Sequence, residues 1–228
     1  MKNNFLPVLL CLACLFIGGI HSCTKDIPKT TPPDSVITTS FIEEFKDVYM
    51  LTINTGWVVK DNSADSINTV YAPWEQGQVG TDKAGNSYGF PAYSSDKAEY
   101  AFSPGAYSSI SSWLITPVLS VKNGDKISFY TRTDSKSYTD RMQVLINKST
   151  STDVGNSLNS VGSFTTVLFD INSTQVMWGY PATWTKYEYT FSGISGKINT
   201  RIAFRHYVVD PQGVVTGVGL DLFKFLAN

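Results

Sequence analysis

Lys126-Ile127-Ser128-Phe129-Tyr130-Thr131-Arg132-Thr133 is the stretch that decides the fold. Ile127, Phe129 and Thr131 fall on one side of an extended chain, and Lys126, Ser128 and Tyr130 on the other. A period of two marks a strand with one face buried. The same pattern recurs downstream. Met142, Val144 and Ile146 alternate with Arg141, Gln143 and Asn147. In Lys186-Tyr187-Glu188-Tyr189-Thr190-Phe191 the rings take one side and the charges the other. Ile202, Phe204 and His206 alternate with Ala203, Arg205 and Tyr207. Punctuation such as Lys122-Asn123-Gly124-Asp125 and Ser192-Gly193 bounds the runs. One-sided alternation belongs to antiparallel sheets packed face to face, so the expectation is an all-β jelly-roll sandwich of two antiparallel sheets. No segment reads as a convincing amphipathic helix, and residues 39–48 fit a strand better. Residues 61–95 and 149–183 read as long irregular connections, where adaptable binding surface would sit on a rigid scaffold.

Composition agrees with that reading and narrows the function. The chain has 228 residues, 42% hydrophobic and 16% charged, enough for one cored domain with a short extension. It carries 13 Phe, 12 Tyr and 5 Trp but few Glu, a strand-rich composition poor in helix formers. Lys and Arg number 18 against 19 Asp and Glu, for a formal charge of −1, and no basic run occurs. A nucleic-acid-binding role is therefore excluded on electrostatic grounds.

The first residues read as an address. Lys2 precedes an apolar run over residues 5–20, and Ile20-His21-Ser22-Cys23 follows it. A basic start, a short apolar stretch and a small residue before the cut define a secretory signal, over residues 1–22. Cys23 resembles the lipid-accepting cysteine of bacterial lipoproteins, with His21 departing from the usual apolar residue of that motif. The alternative is an ordinary signal peptide with an incidental cysteine. Cys11 and Cys14 lie inside the leader, so a chain cut before Cys23 keeps no other thiol and has no disulfide or Cys-ligated metal. Residues 23–39 carry the lipidated cysteine and a Pro/Thr-rich tether, and residues 40–228 the folded domain. The expected location is extracytoplasmic, as an outer-membrane lipoprotein exposed on the cell surface, with the membrane touched only through the lipid.

Five blocks in order carry a resemblance: Glu43-Glu44-Phe45 with Gly56-Trp57; SSWLITPVLSVKNGDKISFYTRT at 111–133; Trp184 before the Tyr-rich strand; RIAFRH at 201–206; and GLDLFKF at 219–225. Together they resemble the cleaved-adhesin, or choice-of-anchor J, family, as found in surface lipoproteins of Bacteroidetes type. The resemblance spans about residues 41–225. It implies a jelly-roll module for cell-surface adhesion or ligand binding, often with structural calcium and without catalysis. The sequence departs from the family where Leu222 replaces a second acid after Asp221, and where the loop Lys60-Asp61-Asn62-Ser63-Ala64-Asp65 is thin in acids.

Candidate chemistry follows from parity. Phe41, Glu43 and Phe45 would share one face, and Asp221 would share its face with Phe223 and Phe225. An ionised carboxylate among rings is costly unless a cation or several donors satisfy it. If the terminal strands lie side by side, Glu43 and Asp221 converge, and Asp61 or Asp65 could complete an oxygen shell for a structural Ca²⁺. The alternative is that backbone amides satisfy each acid. The same acids read as a glycosidase pair would need an open cleft, which nothing predicts. His206, the one histidine outside the leader, has no Gly-x-Ser-x-Gly elbow beside it and reads as a strand residue rather than a hydrolase base. Trp74, Tyr88, Phe90 and Tyr93 lie in the first long connection and Trp178 and Tyr180 in the second; of these Trp74, Tyr88, Trp178 and Tyr180 are the candidate ligand-binding rings, and the alternative is that the rings fold back to cover the sandwich. Trp57, Trp113 and Trp184 sit in strand-like segments and are expected in the core. The expected function is recognition of a protein or glycan at the cell surface. The alternatives are an accessory lipoprotein of a nutrient-uptake complex or, less well supported, a glycoside hydrolase.

Overall fold

A computed structural model describes residues 35–64, 73–81, 87–88, 92–93, 99–104, 109–209 and 216–228. Strands dominate. In chain order they are β1 (Phe41–Glu43), β2 (Val58–Asp61), β3 (Glu75–Gln78), β4 (Gly80–Thr81), β5 (Ser87–Tyr88), β6 (Glu99–Pro104) and β7 (Ile110–Ile115). The series continues with β8 (Leu119–Val121), β9 (Lys126–Thr133), β10 (Met142–Asn147), β11 (Thr166–Ile171), β12 (Thr185–Thr190), β13 (Ile198–Val208) and β14 (Gly217–Leu226). Among the described residues one helix, α1 (Val48–Asn54), follows β1, where a strand had been expected to run to residue 48. Asp47 caps it by accepting from the Met50 amide at 2.8 Å, and Val48 and Leu51 bury its inner side.

Two open antiparallel sheets form a jelly-roll sandwich. The first has the order β12-β9-β14-β6-β3, with β1 also on β14; the second has β11-β10-β13-β7-β2, with β8 also on β13. The short pair β4–β5 stands apart from both. The terminal strands do lie side by side, with Phe41 opposite Phe225 and Glu43 opposite Phe223.

Between the sheets, rings meet edge to face. Phe45 and Trp57 are 5.4 Å apart, Trp57 and Phe223 5.6 Å, Phe204 and Phe223 5.7 Å, and Phe129 and Phe204 5.1 Å. Each such pair adds about 0.5–1.5 kcal/mol beyond the area it buries. Trp57 and Trp113 are core residues as expected, whereas Trp184 is half-buried against Tyr100.

The second sheet corrects the expectation of one-sided alternation. Every residue of β7 and β10 is buried. The connection between β10 and β11 folds over the outer face, so that Val154 and Phe164 pack with Trp113, Ile115, Leu145 and Ala203 in a second apolar cluster. Residues 149–183 are thus not one irregular loop, because β11 lies inside them. Gln143 and Asn147 look solvent-facing by type but are buried, because the covering chain and its neighbours supply partners. Asn147 donates to the Ser151 carbonyl and to Ser163 Oγ, and Arg205 donates to Gln143 Oε1.

Candidate binding site

After β11 the chain makes a short loop that turns three apolar side chains outward. Val176, Met177 and Trp178 are 50%, 60% and 70% exposed. The loop is held from inside. Asn172 Nδ2 donates to the Val176 carbonyl at 2.9 Å and to the Asp140 carbonyl at 2.8 Å, and Asn172 Oδ1 accepts from the Val176 amide at 3.1 Å. Gln175 exchanges two bonds with the Val209 backbone, at 3.0 and 2.7 Å. The Trp178 amide donates to the Lys136 carbonyl at 2.7 Å. Residue 179 has to be glycine, because a Cβ there would come within 2.1 Å of Asn172 Oδ1. Trp178 itself has φ 70°, a left-handed conformation unfavourable for a bulky residue. The backbone that carries the exposed ring is therefore held in place. Two residues on, Tyr180 points the other way. It is buried, its hydroxyl lies 2.7 Å from Thr131 Oγ1, and burial pushes its phenol well above the ordinary tyrosine range.

Beneath this end lies a closed polar knot that the sequence did not advertise. Asp140 is fully buried and receives Thr133 Oγ1 at 2.8 Å, Thr216 Oγ1 at 3.0 Å and the Gly217 amide at 3.0 Å. His206, also fully buried, places Nε2 3.3 Å from Asp140 Oδ1, outside hydrogen-bond alignment, and Nδ1 3.0 Å from Ser103 Oγ. Ser, His and Asp do meet here, but Ser103 and Asp140 have no accessible surface either. The knot bridges the sheets, from β13 to β6, and braces the loops above it. Asp140 looked like an ordinary turn residue in sequence, since none of its partners is nearer than seven positions away.

The acids expected to hold Ca²⁺ are not gathered as parity suggested. Register shifts between Asp221 and Lys224, and Leu222 sits at φ 49°. Asp221 is opposite Tyr130 while Phe225 is opposite Ile127. Tyr130 and Ile127 are an odd number of residues apart, so the bulge moves Asp221 to the face away from Phe225. Glu43 shares the other face with Phe41, whose ring lies 5.7 Å from that of Phe223. Backbone amides donate to both acids. Asp221 accepts from the Tyr93 amide at 2.8 Å and the Leu222 amide at 2.6 Å, and Glu43 from the Phe45 amide at 2.8 Å. Burial raises the Glu43 carboxyl above the usual range against the pull of the Phe45 and Glu44 amides. Asp61 lies in the second sheet and accepts from Ser63 and Ser112. Among the described residues no three acids or histidines are grouped to hold a metal.

Of the four candidate rings, Trp178 is the exposed one whose side chain is described. Trp74 and Tyr180, at 2% and 1% exposure, belong to the core because their segments pack back on the sandwich. Asp65, Cys23 and the Tyr88 side chain lie outside the described residues, although the Tyr88 backbone pairs with Gly80. Val176 and Met177 were missed in sequence, where Gln175-Val176-Met177 carries no period that distinguishes an exposed tip from a buried one. No helix among the described residues is long and apolar enough to cross a membrane.

No family model matches the sequence, and no curated protein matches it. Solved structures do match. The K1 cleaved adhesin domain of Lys-gingipain from Porphyromonas gingivalis aligns over 83% of this chain and 99% of its own, with 18% identity and a TM-score of 0.50. The K2 cleaved adhesin domain of Lys-gingipain aligns over 82% and 99%, with 19% identity and a TM-score of 0.50. The likeness is one of fold, and it agrees with the resemblance carried by the five sequence blocks.

Proposed function

We propose that this chain is a lipid-anchored recognition module of the cell surface, of adhesin type, which binds a protein partner through the Trp178 end and catalyses nothing. One observation carries the reading. A large ring, 70% exposed and flanked by exposed Met177 and Val176, is held at an unfavourable φ by a hydrogen-bonded loop. An exposed indole costs solubility, and strain at an exposed tip is retained where the held geometry is useful. Aromatic anchors of this kind dominate protein interfaces by filling a pocket on the partner. A projecting Val-Met-Trp tip is apolar throughout, which suits a protein pocket better than a hydroxyl-covered glycan. The leader and Cys23 would place the domain outside the cytoplasm on a Pro/Thr-rich tether. The fold shared with adhesin domains is compatible with this role, since such sandwiches present loops at the ends of their sheets.

The test is binding of the purified domain to an immobilised panel of extracellular-matrix and serum proteins, beside the Trp178→Ala variant. Wild type should bind at least one panel protein, and the variant at least about tenfold more weakly at an unchanged melting temperature. Equal binding by the variant, or no binding to any panel protein, would contradict the reading.

A further inference from the structure

A recess lies on the molecule, lined by residues other than those of the Trp178 loop. It is a cleft of about 510 Å³ between α1 and the strands β2 and β3, a size within the range of small-ligand sites. Gln76 shapes it: its Oε1 accepts from the Val48 amide at 2.8 Å, while its Nε2 donates to the Phe45 carbonyl at 2.8 Å and the Tyr100 carbonyl at 3.2 Å. One side chain thereby ties the first turn of the helix to β3 and leaves the cleft formed in advance. The lining is mixed. Val48, Val59 and Trp74 give apolar wall; Asp47, Glu75 and Lys46 give carboxylates and one ammonium; Tyr49, 73% exposed, stands beside it. The Trp74 indole N–H makes no hydrogen bond and is shut off from water as the ring stands. Buried donors of that kind are uncommon and ask for a reason.

We propose that this cleft holds one neutral sugar residue, at a site separate from the Trp178 loop and independent of the reading given to that loop. A pyranose has a C–H face that packs on apolar and aromatic walls. Its hydroxyls donate to carboxylates and accept from N–H groups. The cleft offers both kinds of partner around an apolar wall. Lys46 is ion-paired with Glu44, so Asp47 and Glu75 leave the rim net acidic, which disfavours anionic sugars.

Saturation-transfer NMR and titration with the methyl glycosides of glucose, galactose, mannose and N-acetylglucosamine test the site, with methyl glucuronide as the anionic control. At least one neutral glycoside should bind the wild type in the millimolar range. Tyr49→Ala and Glu75→Gln should each weaken it at least about fivefold, and Trp178→Ala should leave it unchanged. Melting curves of the two cleft variants should overlay the wild type, since both changes lie at the rim. Absence of transfer from all four neutral glycosides would overturn the proposal. So would binding that survives both cleft variants, binding lost in Trp178→Ala, or equal affinity for the glucuronide.

Discussion

Trp178 shows how a single residue can reveal what its neighbours are arranged for. Its φ of 70° costs about 1–2 kcal/mol for a side chain with a Cβ. Trp178→Gly should therefore keep or slightly raise the urea midpoint while losing partner binding; a fall of more than about 1 kcal/mol would mean the ring is packed rather than presented. Asp140 is the opposite case, since all its value is internal. Asp140→Ala strands the Thr133 and Thr216 hydroxyls and the Gly217 amide. A loss of about 3–5 kcal/mol in denaturant unfolding is expected. The ring was legible as a candidate from its type and place in a long connection. The aspartate was not, because its partners are strands and loops that only the fold assembles.

Carboxylates also set the acid response. At Asp125, burial pushes the carboxyl up, but the Asn228 and Lys122 amides and the Lys122 ammonium outweigh it and hold it below the usual range. Asp170 is likewise pushed up by burial and brought below its ordinary value by Arg141 and Gln143, with Arg141 donating two bonds at 2.8 and 2.6 Å. A lowered folded-state value means that stability is present above the unfolded value and is lost as pH falls through the folded one. Glu43, raised, acts in the opposite sense. The urea midpoint should thus fall between about pH 5 and about pH 2, and Asp125→Asn should flatten that fall. An acid limb identical in the variant would show that Asp125 does not contribute to it.

At the scale of elements, the cover over β7, β10 and β13 is the feature that alternation missed. A strand buried on both faces still alternates in residue type when one face is closed by polar partners, as Gln143 and Asn147 are. The cover turns tightly at Gly162, where φ is 52° and a Cβ would meet the Asp153 carbonyl oxygen at 2.3 Å. Gly162→Ala should cost about 2–4 kcal/mol, read by denaturant, and should expose Trp113 beneath, read as a red shift of emission. The bulge at Leu222 is a second element-scale lesson. Sequence parity carries only as far as the register does, and one extra residue in β14 moved Asp221 to the face away from Glu43. The period-two runs themselves were dependable, because β12 is paired over its whole length with residues 126–131 of β9, the residues that alternate.

For the whole molecule, the sandwich was readable from composition, period and the order of five blocks. Pairing of the two ends was readable as well, since β1 and β14 each put Phe residues into the same core. What could not be read was which loops close over a face and which project, because both mix polar and apolar residues without a period. The proposed lipid anchor predicts that Cys23→Ser shifts the protein from the membrane fraction to the soluble extracytoplasmic fraction with its melting temperature unchanged. Retention in the membrane would contradict the anchor.

Recognition through the Trp178 end is tested most directly by hydrogen exchange on the domain, alone and saturated with the panel protein it binds best. Slowed exchange should centre on residues 172–180 and on the facing stretch 134–140, whose Lys136 carbonyl receives the Trp178 amide. Protection confined to β3 and β12, the terminal strands of the first sheet among the described residues, with 172–180 unchanged, would place the contact elsewhere and contradict the account.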